Sequence, residues 1–206
     1  MPPVLTLSPG ARHLPGYLDR AAQEALVAAL RTALETGPLF QPVMPRTGKP
    51  FSVRMTNLGA LGWVSDRAGY RYQKLHPDTG KPWPAMPDLV QKAWSDLAEY
   101  PHPPEACLVN WYGEGARMGL HQDRDEEDTA APVVSLSLGD TAVFRVGGLD
   151  RKDPTRSIRL ESGDAFVLGG PARLAHHGID RVIPGTSTLL PSPGRINLTL
   201  RRVTRG

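Results

Sequence analysis

The chain has 206 residues, 40% of them hydrophobic and 22% charged, with a formal net charge of +3. That is the length of one domain with a buried core and the balance of a soluble globular protein. No run approaches the roughly 20 apolar residues a membrane-spanning helix needs, and the single cysteine, Cys107, excludes an intrachain disulfide.

The first residues, MPPVLTLSPGARHLPGY, have no basic start and no apolar run of signal length, and Cys107 fits a reducing compartment. A cytoplasmic location is therefore expected. From Asp19 to Glu35 an N-cap aspartate, apolar Ala22, Leu26, Leu30 and Leu34 at helical spacing, and Gly37 as a stop predict a helix. The stretch from Pro38 to Pro84 reads as irregular hairpin and loop. A second helix is predicted from Pro87 to Glu99, with Leu89, Val90, Ala93, Trp94 and Leu97 on one face.

From Cys107 onward the pattern changes. CLVNWY, VVSLSLG, AVFRVGG, SIRLESGDAFVLGG and RINLTLRR are β-rich or alternating, with glycine or proline between them. Glycine and proline, 21 each, fit many turns. No repeat, low-complexity linker or βαβ rhythm is present. Helices first and strands afterwards predict an α+β fold, with antiparallel strands in a sandwich or jelly roll buttressed by helices.

The stretch GLHQDRDEED concentrates chemistry: His121 is followed by Asp123, Asp125, Glu126, Glu127 and Asp128. Of the 21 acids these are five, so the other 16 face 24 basic residues, and a surface of that balance suits a polyanion. A calcium loop starting at Asp123 needs glycine at its sixth position and glutamate at its twelfth. Asp128 and Val134 stand there, which excludes it.

His121 and Asp123 are two apart, so on an extended segment both side chains share a face. One imidazole and one carboxylate are two-thirds of the 2-His-1-carboxylate set that holds Fe(II) and leaves positions open. The third ligand has to come from a distant strand, and His177 in RLAHHGI is the candidate. A solvated loop remains the alternative at this point.

In RINLTLRR, alternation puts Arg195, Asn197, Thr199 and Arg201 on one face and Ile196, Leu198 and Leu200 on the other. Either the polar face meets solvent, or two guanidinium forks point inward and hold both ends of a short diacid. Asn110 and Tyr112 in LVNWY also alternate to one face. Cys107 reads as a packed core residue.

With these residues in view, the chain resembles the AlkB family of Fe(II)- and 2-oxoglutarate-dependent nucleic-acid dealkylases, and most its bacterial founding branch. The resemblance runs from about Phe51 to Arg201 through MTNLGALGWVSDRAGYRY, KPWPAMP, LVNWYGEGARMGLHQDRDE, APVVSLSLG, GGLDRKDP and RINLTLR. It implies one domain over 1–206: a double-stranded β-helix (jelly roll) core over about 105–203, N-terminal buttressing helices, and a nucleotide-recognition lid over about 45–80.

The resemblance also implies roles. His121, Asp123 and His177 bind Fe(II), and His177 is chosen over His176 because it directly precedes Gly-Ile. Asn110, Tyr112, Arg195, Asn197, Thr199 and Arg201 surround 2-oxoglutarate. Met55, Trp63, Tyr70 and Tyr72 belong to the lid, while Asp125 and Arg151 face the damaged base. Glu126, Glu127 and Asp128 are left as a solvated turn.

The implied reaction is oxidative demethylation of N-alkylated bases of the 1-methyladenine and 3-methylcytosine type in DNA or RNA. Fe(II), O2 and 2-oxoglutarate are used, and succinate, CO2 and formaldehyde are released. The base has to leave its stack to be reached, and a cationic base is favoured beside the carboxylate of Asp125. Expected partners are nucleic acid and no membrane, with the protein a monomer. Two other readings stand beside this one: a 2-oxoglutarate oxygenase acting on protein or a small molecule, and a non-catalytic nucleic-acid-binding module of the same fold.

Overall fold

The structure, a computed structural model, describes residues 4–206. In chain order it comprises β1 (Leu5–Ser8), β2 (Ala11–Leu14), α1 (Arg20–Thr36), β3 (Arg54–Gly59), β4 (Gly62–Asp66), β5 (Gly69–Gln73), α2 (Asp88–Leu97), β6 (Ala106–Tyr112), β7 (Met118–His121) and β8 (Val133–Gly139). There follow β9 (Thr141–Val146), β10 (Arg156–Leu160), β11 (Ala165–Leu168), β12 (His177–Ile183) and β13 (Arg195–Arg201).

Seven strands form one antiparallel sheet in the order β1-β2-β11-β8-β13-β6-β3, and four form a second in the order β10-β9-β12-β7. The β4–β5 hairpin stands apart. Interior-facing residues of both sheets meet in one apolar cluster, with the rings of Phe144 (β9) and Phe166 (β11) 4.8 Å apart. This is the jelly-roll arrangement.

Both helices pack on the other face of the larger sheet. Asp19 caps α1 through Oδ1, which accepts the amide of Ala22 at 2.8 Å, and Gly37 ends it. Leu26 and Leu30 of α1 and Val90, Trp94 and Leu97 of α2 bury against Val134, Leu136, Cys107, Val109, Leu198 and Leu200. Truncating one of these core leucines to alanine costs about 2–5 kcal/mol. Because Leu198 and Leu200 face the helices, pleating turns Arg195, Asn197, Thr199 and Arg201 into the space between the sheets. The polar face of β13 is thus an interior face, not a solvent face.

Two expectations about organisation are corrected. Strands precede the first helix: β1 and β2 extend the larger sheet through β2–β11 pairing. The stretch 38–84 is not irregular throughout either, because β3 pairs with β6 as a full sheet member and β4–β5 is a regular hairpin.

Candidate active site

The site opens between the sheets as a cavity of about 690 Å³. Its first wall is the junction of β7 and β12, where His121 and His177 are directly paired. Gly178 permits that junction. A Cβ there would lie 2.5 Å from the carbonyl oxygen of Met118, so any other residue would push β12 away from β7.

The imidazole rings of His121 and His177 lie 4.5 Å apart. Nδ1 of His121 bonds to the carbonyl of Gly119 and Nδ1 of His177 to that of Ala175, both at 2.9 Å. A carbonyl only accepts, so each Nδ1 holds a proton, and in the neutral ring each Nε2 keeps its lone pair for a metal. Both Nε2 atoms turn toward Asp123, 3.5 Å from Oδ1 and Oδ2 respectively.

Asp123 is buried, and its two oxygens differ. Oδ1 accepts from Arg201 at 2.7 Å, whereas Oδ2 has no hydrogen-bond partner among the described residues. Burial alone raises this carboxyl, but the Arg201 guanidinium outweighs it and holds the carboxyl well below the usual carboxylate range. Two neutral imidazole nitrogens and one ionised oxygen, all within 4.8 Å of one another beside an open cavity, fit a divalent transition metal of the Fe(II) type. His176 lines the cavity but stands outside this cluster.

The second wall is β13 with β6 and β8. Arg195 is fully buried. It donates to Ser137 Oγ at 2.7 Å and to the carbonyl of Leu160 at 3.2 Å, its Nε is unpartnered, and it has no acidic partner among the described residues. Burial lowers its pKa to about 10. A buried cation with no carboxylate in contact is costly, and this one borders a cavity.

Beside it, Tyr112 is pushed up to about 12, chiefly by burial, so its hydroxyl stays protonated and can donate. Asn110 leaves Oδ1 unpartnered, and Asn197 and Thr199 bond to one another at 2.8 Å. This chemistry suits the distal carboxylate of a short diacid. Arg201 is arranged differently from the expected clamp, since Asp123 and Glu126 already hold it at 2.7 Å each.

The third wall is the β4–β5 hairpin. Trp63 and Tyr70 lie on one face of it, stacked at 5.5 Å and 19°, and both line the cavity with Met55 of β3. Asn57 holds the backbone of Trp63 through two bonds of 3.0 Å. Asp125 accepts from the indole Nε1 at 2.8 Å. Exposed Arg117, Arg124 and Arg151 stand on the rim, and none of them has an acidic partner among the described residues. Leu168 lines the apolar end of the cavity, and Asp66 is paired with Arg71 in the hairpin at 2.7 Å.

Two expectations about this site are corrected. Tyr72 does not line the cavity. Its hydroxyl donates to Glu126 and accepts from Arg201, which makes it an anchor of the hairpin. Glu126 and Asp128 are not a solvated turn, because both are buried. Glu126 pairs with Arg173 at 3.0 Å and Arg201 at 2.7 Å, and Asp128 accepts from Tyr100 at 2.7 Å. Of the three, Glu127 alone is exposed. Sequence reasoning missed Glu126 and Arg173, whose signal is a buried charge pair across 47 positions.

Comparison with known proteins agrees with this geometry. The family model for the 2OG-Fe(II) oxygenase superfamily matches residues 10–201. The chain is 59% identical over 198 residues to an alpha-ketoglutarate-dependent dioxygenase AlkB homolog of Caulobacter vibrioides, covering 96% of this chain and 90% of the relative. It is 44% identical over 201 residues to the alpha-ketoglutarate-dependent dioxygenase AlkB of Escherichia coli, covering 95% and 91%. The solved structure of OsALKBH1 superposes with a TM-score of 0.82 at 31% identity, covering 97% of this chain and all of that one. The chain is an Fe(II)- and 2-oxoglutarate-dependent dioxygenase and belongs to the 2OG-Fe(II) oxygenase superfamily, within it to the bacterial branch of the AlkB family.

Proposed function

We propose that the protein removes N-methyl groups from nucleobases of the 1-methyladenine and 3-methylcytosine type, a direct reversal of alkylation damage in DNA or RNA. The observation that carries this reading is the pair Trp63–Asp125 at the cavity mouth: an indole face fixed by a carboxylate, beside His121, His177 and Asp123. A flipped base needs a stacking face and a polar partner for its edge, and Trp63 and Asp125 offer both.

In this reading His121, Asp123 and His177 hold the iron. Bound iron, with 2-oxoglutarate and O2, supplies the oxidation of the N-methyl group, and succinate, CO2 and formaldehyde leave. Arg195 and Tyr112 bind the distal carboxylate of 2-oxoglutarate, with Asn110, Asn197, Thr199 and Arg201 completing its pocket. Trp63 and Tyr70 orient the base, and Met55 packs beneath them. Asp125 favours a cationic base, since opposite charges at contact attract and a neutral base lacks that term. Arg151 faces the damaged base beside Asp125, and Arg117 and Arg124 draw in the phosphate backbone.

One chain furnishes every one of these groups, which supports a monomer working as a single domain over 1–206, with a lid over about 45–80 and a core over about 105–203. The buried, lone Cys107 supports a cytoplasmic location, where iron stays reduced. Among the described residues no helix is long and apolar enough to cross a membrane.

A panel of oligonucleotides bearing single methylated bases, incubated with Fe(II), 2-oxoglutarate and ascorbate and read by mass spectrometry, tests the proposal. Loss of the methyl group from the cationic lesions is expected. Turnover of 2-oxoglutarate with every oligonucleotide left intact would redirect the enzyme to protein or small-molecule substrates.

A further inference from the structure

The acid nearest the metal cluster that the expected chemistry leaves without a role is Glu126. It is buried, yet neither solvent nor the cavity explains it. Three donors converge on it: Arg173 Nη2 at 3.0 Å on Oε2, and Arg201 Nη1 at 2.7 Å and the Tyr72 hydroxyl on Oε1. A carboxylate with this many charge-assisted partners is fixed in position.

The partners of Glu126 reach the iron-binding carboxylate by two routes. Arg201 extends its other nitrogen, Nη2, to Asp123 Oδ1 at 2.7 Å. Arg173 extends Nη1 to the main-chain carbonyl of Asp123 at 2.6 Å. With Oδ1 occupied by Arg201, Oδ2 is the oxygen left unpartnered and available to a metal. On the far side, Tyr72 sits on β5, directly opposite Trp63 in the hairpin register. The unbroken path is therefore β5 hairpin, Tyr72, Glu126, Arg201, Asp123.

We propose that Glu126 is a positioning residue that couples the seating of the β4–β5 hairpin to the orientation of the Asp123 carboxylate. This rests on the assignment of Asp123 as an iron ligand. Two carboxylates and two guanidinium groups balance in charge. Neutralising Glu126 leaves Arg201 with Asp123 as its sole acidic partner, which draws electron density from the ligand and frees the guanidinium to turn. Removing the Tyr72 hydroxyl leaves the four charges and the Trp63–Asp125 bond intact and cuts only the link from the hairpin to Glu126 and Arg201. Coupling of this kind is reciprocal: if hairpin seating favours the metal-ready carboxylate, metal binding lowers the population of the open hairpin by the same factor.

The test uses the full chain with Co(II) in place of iron, comparing wild type, Glu126→Gln and Tyr72→Phe. Co(II) affinity is followed by visible absorption, and hydrogen exchange across residues 62–73 is measured with and without metal. Glu126→Gln is expected to weaken Co(II) binding roughly tenfold, the scale of a lost partner to a metal ligand. In wild type, Co(II) is expected to slow exchange across the hairpin. In Tyr72→Phe, with a Tm close to wild type, that slowing is expected to shrink to the part carried by the Trp63–Asp125 bond.

A purely structural role for Glu126 would lower the Tm without this split. Unchanged Co(II) affinity in a folded Glu126→Gln, or equal metal-induced protection of the hairpin in wild type and Tyr72→Phe, would overturn the proposal. If Glu126→Gln does not fold, the Tyr72→Phe comparison decides. A wild-type protein that takes up no Co(II) would remove the metal centre itself, and the proposal with it.

Discussion

Trp63 and Asp125, 62 positions apart, are joined by a 2.8 Å hydrogen bond from the indole Nε1 to Oδ2. The bond fixes which way the indole lies and occupies one oxygen of the carboxylate, leaving Oδ1 for another donor. The lid hairpin and the segment that bears His121 and Asp123 thus meet over the cavity at this contact, in addition to the one between Tyr72 and Glu126.

Trp63→Ala is expected to cut demethylation of a methylated oligonucleotide while sparing most 2-oxoglutarate turnover without substrate. Loss of a stacking face costs about 1–3 kcal/mol per base, or roughly ten- to hundredfold in affinity. Tm, succinate formed without nucleic acid, and demethylation on the same variant separate this from a packing defect. A packing defect lowers all three together.

Arg195 and Arg201 are expected to respond differently to replacement. Arg195→Met removes a buried cation that has no acidic partner, so the apo protein should lose little Tm. It should lose the added stability that 2-oxoglutarate gives wild type, with binding weaker by about 1.5–3 kcal/mol. Arg201→Ala strips two buried carboxylates of their shared partner and is expected to destabilise the fold outright, by about 3–5 kcal/mol. Thermal melts with and without 2-oxoglutarate and Mn(II) read both effects.

His121→Ala, Asp123→Ala and His177→Ala are each expected to abolish turnover, and His176→Ala to keep most of it. His176 borders the cavity outside the metal cluster. An inactive His176→Ala alongside an active His177→Ala would reverse the assignment.

Much of this was legible in the sequence because the signals are local. The Asp19 cap and the spacing of Leu26 and Leu30 define α1, and strict alternation in RINLTLR sorts β13 into a helix-facing and a cavity-facing row. His121 and Asp123 lie two apart. What stayed hidden depends on distance. Glu126 reads as solvated because its partners Arg173 and Arg201 are 47 and 75 positions away, and Asp128 because Tyr100 is 28 away. β1 and β2 have four residues each, too few to show a period, and pairing with β11 alone ties them to the sheet. Tyr72 shares the alternation of Tyr70, so nothing local distinguishes the anchor from the residue at the cavity.

Acid should expose a further long-range pair. Asp164 is buried and accepts from His13 Nε2 at 2.8 Å and from the amides of Gly16 and Glu161 at 2.9 Å. Burial raises its carboxyl, but these donors outweigh it and hold the pKa below the usual value. A depressed carboxylate stabilises the fold above its unfolded pKa, roughly 3.9. That contribution is lost as pH falls through the lower folded value. Asp164→Asn should therefore lower the Tm at pH 7, with the gap to wild type closing below about pH 4. A gap that persists unchanged into acid would contradict this.

The central claim is that the Trp63–Asp125 lid and the His121–Asp123–His177 cluster form one site that oxidises a methyl group on a base. Its most direct measurement is the stoichiometry of formaldehyde to succinate with a single-stranded oligonucleotide carrying one 1-methyladenine. The account predicts formaldehyde equal to the methyl groups lost, close to one succinate per formaldehyde, and neither product from His177→Ala. Succinate formed at the same rate with methylated and unmethylated oligonucleotide, and no formaldehyde, would contradict it.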